Sequence, residues 1–194
     1  MKRYDKYKDT DNRWLGTIPR HWEVRRLSQV AYEHFISNKD IHHQNLLSLS
    51  YGRIVRKDIN KTEGLLPASF DTYQIVEDGN IILRLTDLQN DQKSLRVGLA
   101  KEEGIVTSAY VCLGIMNKSV IPAYLYYTLH SLDVKKIFYS MGGGLRQNLN
   151  WQGLKKIDIP YPPIAEQEKI VSYLESKTLC IDAYVAERER VTAA

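Results

Sequence analysis

The sequence predicts an α/β (α+β) fold in which a mixed, β-rich domain, residues 1–162, precedes a long C-terminal coiled-coil helix, residues 163–194. Two observations predict it. Short apolar stretches bounded by Gly, Asp or Asn recur through the first part, which is typical of strands. From Ile164 onward, apolar residues recur instead with the seven-residue spacing of a helix that packs along a partner. A chain of 194 residues is long enough for one well-buried domain with such an appendage.

The β-rich part begins with a strap and continues with short strands. Residues 1–27 contain turn residues and two tryptophans, Trp14 and Trp22, and we expect them to pack as an irregular strap. Strands are then predicted at residues 46–50, 73–76, 80–85 and 106–115. A helix is predicted over 122–140, because Pro122 stands near its start and apolar residues follow at near-helical spacing.

The junction with the C-terminal helix has a clear order. Three glycines at 142–144 form a hinge, because glycine allows unusual backbone dihedrals or a close approach. Residues 154–159 read as one short strand. Prolines at 160, 162 and 163 end it and pre-set φ for the first turn of a helix, where Glu166 and Glu168 suit the helix dipole.

The C-terminal helix carries an incomplete heptad seam. A helix of about 27 residues would be about 40 Å long, which is too long for so small a domain to cover. We therefore favour a coiled coil with a partner helix; the alternative is a terminal helix packed on its own domain. The residues predicted to meet the partner are Ile164, Gln167, Val171, Leu174, Ile181 and Val185.

Composition sets limits on location and partners. The formal charge of +4 permits nucleic-acid binding without requiring it. The polar start does not resemble a signal peptide and no apolar run is long enough to span a bilayer, so we expect a cytoplasmic protein without a membrane partner. Cys112 and Cys180 stand far apart, which indicates neither a disulfide framework nor a zinc site.

The sequence predicts no catalytic residue, metal or cofactor. Residues 158–163 (DIPYPP) resemble a scrambled methyltransferase signature, and no glycine-rich nucleotide loop accompanies them. Glu175 and Lys177 match half of a nuclease signature, but they fall in mid-helix without a second carboxylate to share a metal. Histidines 34, 42 and 43 lie in a polar loop where a metal site is improbable.

A set of basic, aromatic and amide residues forms the candidate DNA-binding surface. Arginine can pair with guanine, Asn or Gln with adenine, and lysine with phosphates. Part of the set falls in a predicted hairpin or loop at 51–57 and part follows the glycine hinge. The candidates are Tyr51, Arg53, Arg56, Lys57, Arg84, Arg96, Lys101, Arg146, Gln147 and Asn148.

Three segments give the chain a family resemblance. They are residues 7–9 with 14–24 (WLGTIPRHWEV), residues 104–110 (GIVTSAY) and, most specific, residues 162–170 (PPIAEQEKI). On these segments the chain resembles the specificity subunit of type I restriction-modification systems. It departs from the family at Asn80, where an aspartate is usual, and we interpret that position as a structural turn.

The resemblance implies a division of labour. That family has two units in tandem, each a target recognition domain followed by a conserved helix, and this chain resembles one unit. It implies a non-catalytic chain that binds double-stranded DNA, reads one half of a bipartite site and docks a modification (methyltransferase) subunit. A restriction subunit is a further partner that the resemblance allows. S-adenosylmethionine and ATP are expected on those partners. One unit could restore the tandem arrangement as an antiparallel homodimer, which predicts a palindromic target.

Two other functions remain open from sequence. The chain could be a recognition domain excised from a fused methyltransferase-nuclease. It could also be a protein-interaction adaptor whose helix serves assembly only. The recognition loops of the family vary too much for base contacts to be carried over, so the ten candidates rest on their chemistry and position.

Overall fold

A computed structural model describes residues 4–59, 69–91, 93–143 and 148–193 of the chain. Its strands are β1 (Tyr7–Asp9), β2 (Thr17–Pro19), β3 (Glu23–Arg26), β4 (Ala31–Glu33), β5 (Ile36–Ser37), β6 (Leu47–Ser50), β7 (Arg53–Arg56), β8 (Gln74–Val76), β9 (Ile81–Leu83), β10 (Val97–Leu99), β11 (Gly104–Val106), β12 (Val111–Ile115) and β13 (Asp158–Tyr161). Its helices are α1 (Pro122–Val134), α2 (Trp151–Leu154) and α3 (Ile164–Ala193).

The centre of the fold is a four-stranded antiparallel sheet in the order β10-β9-β12-β4. Successive side chains of a strand point to opposite faces, so each central strand supplies two cores. Ile81 and Leu83 of β9 belong to the main core, in which α1 packs with Leu125 and Leu129, while Ile82 faces a second core. All three β9 side chains are fully buried.

The second core joins the central sheet to a three-stranded sheet, β11-β8-β5, and to the β6–β7 hairpin. The hairpin lies close against β10 at Gly98. A Cβ there would come within 2.7 Å of the terminal Cδ1 atoms of both Leu49 and Ile54, so a larger residue would require these side chains to shift. The hairpin predicted over 51–57 is confirmed, and its turn has left-handed φ values at Tyr51 and Gly52.

The N-terminal strap is more regular than predicted. β1 and β2 pair with each other, and β3 pairs along its whole length with β13, which directly precedes α3. Asn12 donates to the Asp158 side chain at 3.0 Å and Trp14 Nε1 to the Asp158 carbonyl at 3.3 Å. The strap is therefore attached to the strand from which the long helix emerges.

Three predicted elements differ in their limits. Residues 106–115 are two strands, because a turn closed by Tyr110 N–H to the Thr107 carbonyl (3.1 Å) separates β11 from β12. The helix predicted over 122–140 ends at Val134, and Lys136 at φ 60° turns the chain into a short 3-10 segment. The strand predicted at 154–159 begins only at Asp158, after α2, whose N-terminus is capped by Asn150.

The predicted C-terminal helix is confirmed, with limits close to the predicted 163–194. α3 spans 30 residues from Ile164, directly after the two prolines. Its first turns pack on the domain, chiefly on α1. The predicted fold class, a mixed α+β domain with a long C-terminal helix, is confirmed.

Candidate nucleic-acid interface

A cleft of about 430 Å³ opens on the β-rich domain where three separate segments converge. The first segment is the end of β4, the second is the turn between β11 and β12, and the third precedes α2. The lining includes Glu33, Phe35, Gln74, Thr86, Ser108, Ala109, Tyr110, Val111, Cys112, Asn148, Leu149 and Asn150. Only Asn148 of these belongs to the predicted DNA-binding set.

Hydrogen bonds from within the domain fix the cleft walls. The buried amide of Gln74 donates to the carbonyls of Thr107 (3.1 Å) and Tyr110 (2.7 Å), which holds the β11–β12 turn. Asn148 Oδ1 accepts from the Asp87 backbone N–H at 2.8 Å. The cleft is thus built on rigid elements, although its rim is made of loops.

Arg96 shapes the floor of the cleft from inside. Its guanidinium donates to the carbonyls of Arg84 (3.1 Å), Thr86 (2.8 Å), Asp87 (3.3 Å) and Asp91. The side chain is 0% exposed, so its predicted placement on the DNA-binding surface is wrong. The physical reason is that one arginine satisfies four carbonyls of a buried loop, a requirement that does not show in the sequence.

The cleft presents one strongly exposed apolar side chain and several polar groups to a ligand. Phe35 is 61% exposed, although it is a large apolar side chain. Asn148 and Asn150 use their side-chain oxygens on backbone N–H groups, and within the described residues their NH₂ groups donate to no other residue. Glu33 adds a carboxylate that has no ion pair in the described part of the chain. These groups can meet acceptors and amino groups on base edges.

The thiol of Cys112 lies at the back of this cleft. Burial, with a smaller contribution from the Glu33 carboxylate, raises the pKa of Cys112 to about 12. A thiol with such a pKa stays protonated at neutral pH and is a poor nucleophile. The cleft therefore offers binding groups, and Cys112 is not an activated nucleophile within it.

The β6–β7 hairpin holds a second group of predicted residues, away from the cleft lining. Tyr51 is 76% exposed at its tip. Arg53 Nη2 contacts both carboxylate oxygens of Asp182 on α3, at 2.7 and 2.8 Å, and Arg56 pairs with Glu102 at 2.5 Å. Both pairs are exposed, and exposed pairs contribute little to stability. Their arginines can therefore exchange a carboxylate for a phosphate.

The other candidates are scattered. Lys57 and Lys101 are exposed, and Arg84 lies 3.4 Å from Asp91 at the edge of the domain. Arg146 and Gln147 lie outside the described residues. The eight predicted residues that the structure describes therefore do not line one common site, and DNA contact by the exposed ones stays a prediction.

The residues of α3 that were predicted to meet a partner helix do not all lie on the same side of the helix. Gln167 is fully buried and Val171 is 9% exposed, so both pack on the domain, and their assignment to a partner helix is wrong. Thr178 belongs to the same stripe and lies near Tyr127 of α1. Each residue of a helix turns it by about 100°, which places this stripe and Asp182 together on the domain side.

A different face of α3 is free along its distal half. Tyr173, Tyr184 and Val191 are spaced by eleven and seven residues, so they share one side of the helix, with Ile181 beside them. Their exposed fractions are 45%, 66%, 64% and 61% in that order. We call these four residues the distal apolar face. Ile181 was among the predicted partner residues; Tyr173, Tyr184 and Val191 were missed because the heptad was assigned from Ile164.

Within the described ranges, no three His, Cys, Asp or Glu side chains gather in a way that would hold a metal ion. No helix in that part of the chain combines the length and apolar character that crossing a bilayer requires.

Comparison with known proteins agrees with this architecture. A relative from Methanocaldococcus jannaschii named "Putative type I restriction enzyme MjaX specificity subunit" is 26% identical over 173 residues, covering 82% of this chain and 40% of that protein. The structure resembles the HsdS subunit from Thermoanaerobacter tengcongensis (TM-score 0.56, 16% identity, 91% of this chain and 41% of that one). It also resembles the type I S subunit from M. genitalium (TM-score 0.50, 15% identity, 80% and 38%).

The chain spans about two fifths of the length of each of these relatives. The sequence model of the family described as "Type I restriction modification DNA specificity domain" matches residues 19–192, which is nearly the whole chain. The resemblance noted in the sequence is thereby confirmed, and this chain belongs to the family of type I restriction-modification DNA specificity domains.

Proposed function

We propose that this chain is a sequence-specific DNA-binding specificity subunit of a type I restriction-modification system. It reads one half of a bipartite site and directs adenine methylation and restriction by partner subunits in the cytoplasm. It performs no chemistry itself, and S-adenosylmethionine and ATP bind to those partners. The observation that carries the proposal is the family match over residues 19–192.

The cleft supports the reading of bases. Asn148 and Asn150 direct NH₂ donors to base acceptors, and Glu33 accepts from the amino group of cytosine. Phe35 at the rim suits contact with a thymine methyl group. Phosphate contacts fall to the exposed cations of the β6–β7 hairpin and to Lys101.

The second half of a bipartite site comes from a second copy of the chain. The distal apolar face lies on a side of α3 that the domain leaves exposed, and two such faces bury each other in an antiparallel pair. Twofold symmetry then makes the target palindromic.

A selection from randomised duplex DNA tests the proposal, using the purified chain together with its modification subunit. We expect enrichment of one bipartite motif with a fixed spacer. Equal recovery of all sequences by the active complex would contradict the proposal.

Replacing Phe35 by alanine should weaken binding to the selected DNA about tenfold, equivalent to about 1.4 kcal/mol, because the cleft loses its apolar base contact. Titration of a labelled duplex at fixed salt measures this. Ile41→Ala is the matched control, since Ile41 is also an exposed apolar residue (54%) but does not line the cleft. Equal affinities for the two variants would show that Phe35 does not contribute to the DNA-binding surface.

A further inference from the structure

The first turn of α3 contains a carboxylate on which three donors from the strap converge. Trp22 Nε1 donates to Glu166 Oε2 at 2.9 Å and the Tyr4 hydroxyl donates to the same oxygen at 2.8 Å. His21 Nε2 lies 2.5 Å from Glu166 Oε1. Three side chains that are far from Glu166 in sequence therefore contact one residue of the helix.

The protonation states of Glu166 and Tyr4 favour these hydrogen bonds. Burial alone would raise the pKa of Glu166, but hydrogen bonds from Trp22, His21 and Tyr4 outweigh it and hold that pKa below its usual value. Burial and the bond to Glu166 raise the pKa of Tyr4 to about 12. At neutral pH a charged acceptor therefore meets neutral Tyr4 and Trp22 donors, and such charge-assisted bonds are stronger than neutral ones.

The neighbouring residue attaches the helix from the other side. The Gln167 amide donates to the carbonyls of Ser119 and Pro162 and accepts from the Ile121 N–H, each at 3.0 Å. The strap itself is joined to the domain through β3 and β13. A tilt of α3 at its base would therefore break bonds on both sides of the helix.

A small tilt would have a large effect at the far end. From Glu166 to Val191 the helix is about 38 Å long, so a tilt of about 10° moves Val191 by about 7 Å. Successive base pairs are about 3.4 Å apart, so this displacement equals about two base pairs. The stiffness of the helix base thus limits how well two recognition units keep their separation.

We propose that Glu166 is a positioning residue: by binding Tyr4, His21 and Trp22 it fixes the direction in which α3 leaves the domain, and through it the spacer length that the assembled subunit accepts. The spacer part rests on the proposed function. The direction of the helix does not, so the two can be tested separately.

Spin-label distances measure the direction of the helix. Cys180 is exposed on α3 and Cys112 is buried, so one natural label site lies on the helix, and Asp78→Cys provides another in an exposed turn of the domain. The labelled chain is diluted into excess unlabelled chain so that only pairs within one chain contribute. All variants carry Asp182→Ala, because the pair between Arg53 and Asp182 would otherwise also restrain the helix.

We expect Glu166→Ala to broaden the distance distribution clearly and Trp22→Phe to broaden it less, while circular dichroism is unchanged. Glu168→Ala is the matched control, since Glu168 is an exposed carboxylate of the same turn and should leave the distribution as narrow as the parent's. A distribution for Glu166→Ala as narrow as that of the control would overturn the proposal. If Glu166→Ala does not fold, an unchanged width for Trp22→Phe overturns it.

The proposed effect of Glu166 on spacer length is tested by measuring methylation of duplexes whose spacer varies in single base-pair steps. The parent complex should methylate one spacer length, and Glu166→Ala should also accept neighbouring lengths. Unchanged spacer selection by Glu166→Ala would refute the role in spacing. A parent complex that methylates no preferred sequence would refute the proposed function instead, and the spin-label result would stand independently.

Discussion

Replacement of Arg96 by alanine is expected to lower the free energy of unfolding by at least about 3 kcal/mol. The change removes the guanidinium donors from the carbonyls of Arg84, Thr86 and Asp87, while the Asp91 carbonyl keeps the Tyr139 hydroxyl as a donor. Each buried group left without a partner costs about 1–3 kcal/mol. The vacated volume adds a cavity within the fully buried site. Urea unfolding followed by circular dichroism measures the change.

Arg84→Ala is the control for this prediction. Arg84 lies near the same Asp91 at 3.4 Å, but its side chain is 36% exposed and the contact is weak, so we expect a loss below about 1 kcal/mol. Equal stability losses for the two variants would show that the buried arginine does not organise the loop beneath the cleft.

Introducing aspartates at Ile181 and Tyr184 is expected to convert the proposed homodimer to monomers. Both residues lie on the distal apolar face, and a charge buried in an apolar interface without a partner is strongly unfavourable. Light scattering after size exclusion should give half the parent's mass. The domain should stay folded, because both side chains are exposed and lie on a side of α3 that the domain does not cover.

Leu179→Asp provides the matched control. Leu179 is 70% exposed on the same stretch of α3, but it points away from the distal apolar face. We expect its mass to equal the parent's. A dimer that survives the double aspartate change, or one that Leu179→Asp breaks equally, would contradict the assigned interface. Val171→Asp would not be informative, because Val171 is buried against its own domain.

The sequence predicted those parts of the fold that are fixed by local signals. The prolines at 162 and 163 mark the start of α3 correctly, and glycine in the turn marks the β6–β7 hairpin. Where local signals were weak, the predicted first and last residues of the strands and helices were wrong. The turn within residues 106–115 carries no glycine or proline, and it is held from outside by the Gln74 side chain.

The candidate site was less predictable, because its residues are distant in sequence. Phe35 and Glu33 lie beside histidines that suggested only a polar loop, and no local pattern connects them with Asn148. Arg96 and Arg84 look alike in the sequence, although one is buried and the other is at the surface. Family resemblance identified the kind of protein; the tertiary contacts determine which side chains remain available to a ligand.

The side of α3 that is free for a partner was also not predictable from local sequence. Heptad spacing identified a long helix with an apolar side, but spacing alone does not show where the domain ends. The domain covers Gln167 and Val171, and the side that is left free is rotated from the predicted seam. Ion pairing of Asp182 with Arg53 extends the covered side further along the helix than composition would suggest.

Methylome sequencing of cells that carry the modification subunit, with and without this chain, tests the central claim most directly. The proposed function predicts that adding the chain creates adenine methylation at a single bipartite motif. The homodimer further predicts that the motif is palindromic and that the Ile181→Asp, Tyr184→Asp double variant abolishes it. Identical methylation patterns in the two strains, with both subunits produced, would contradict the assignment of this chain as the specificity subunit.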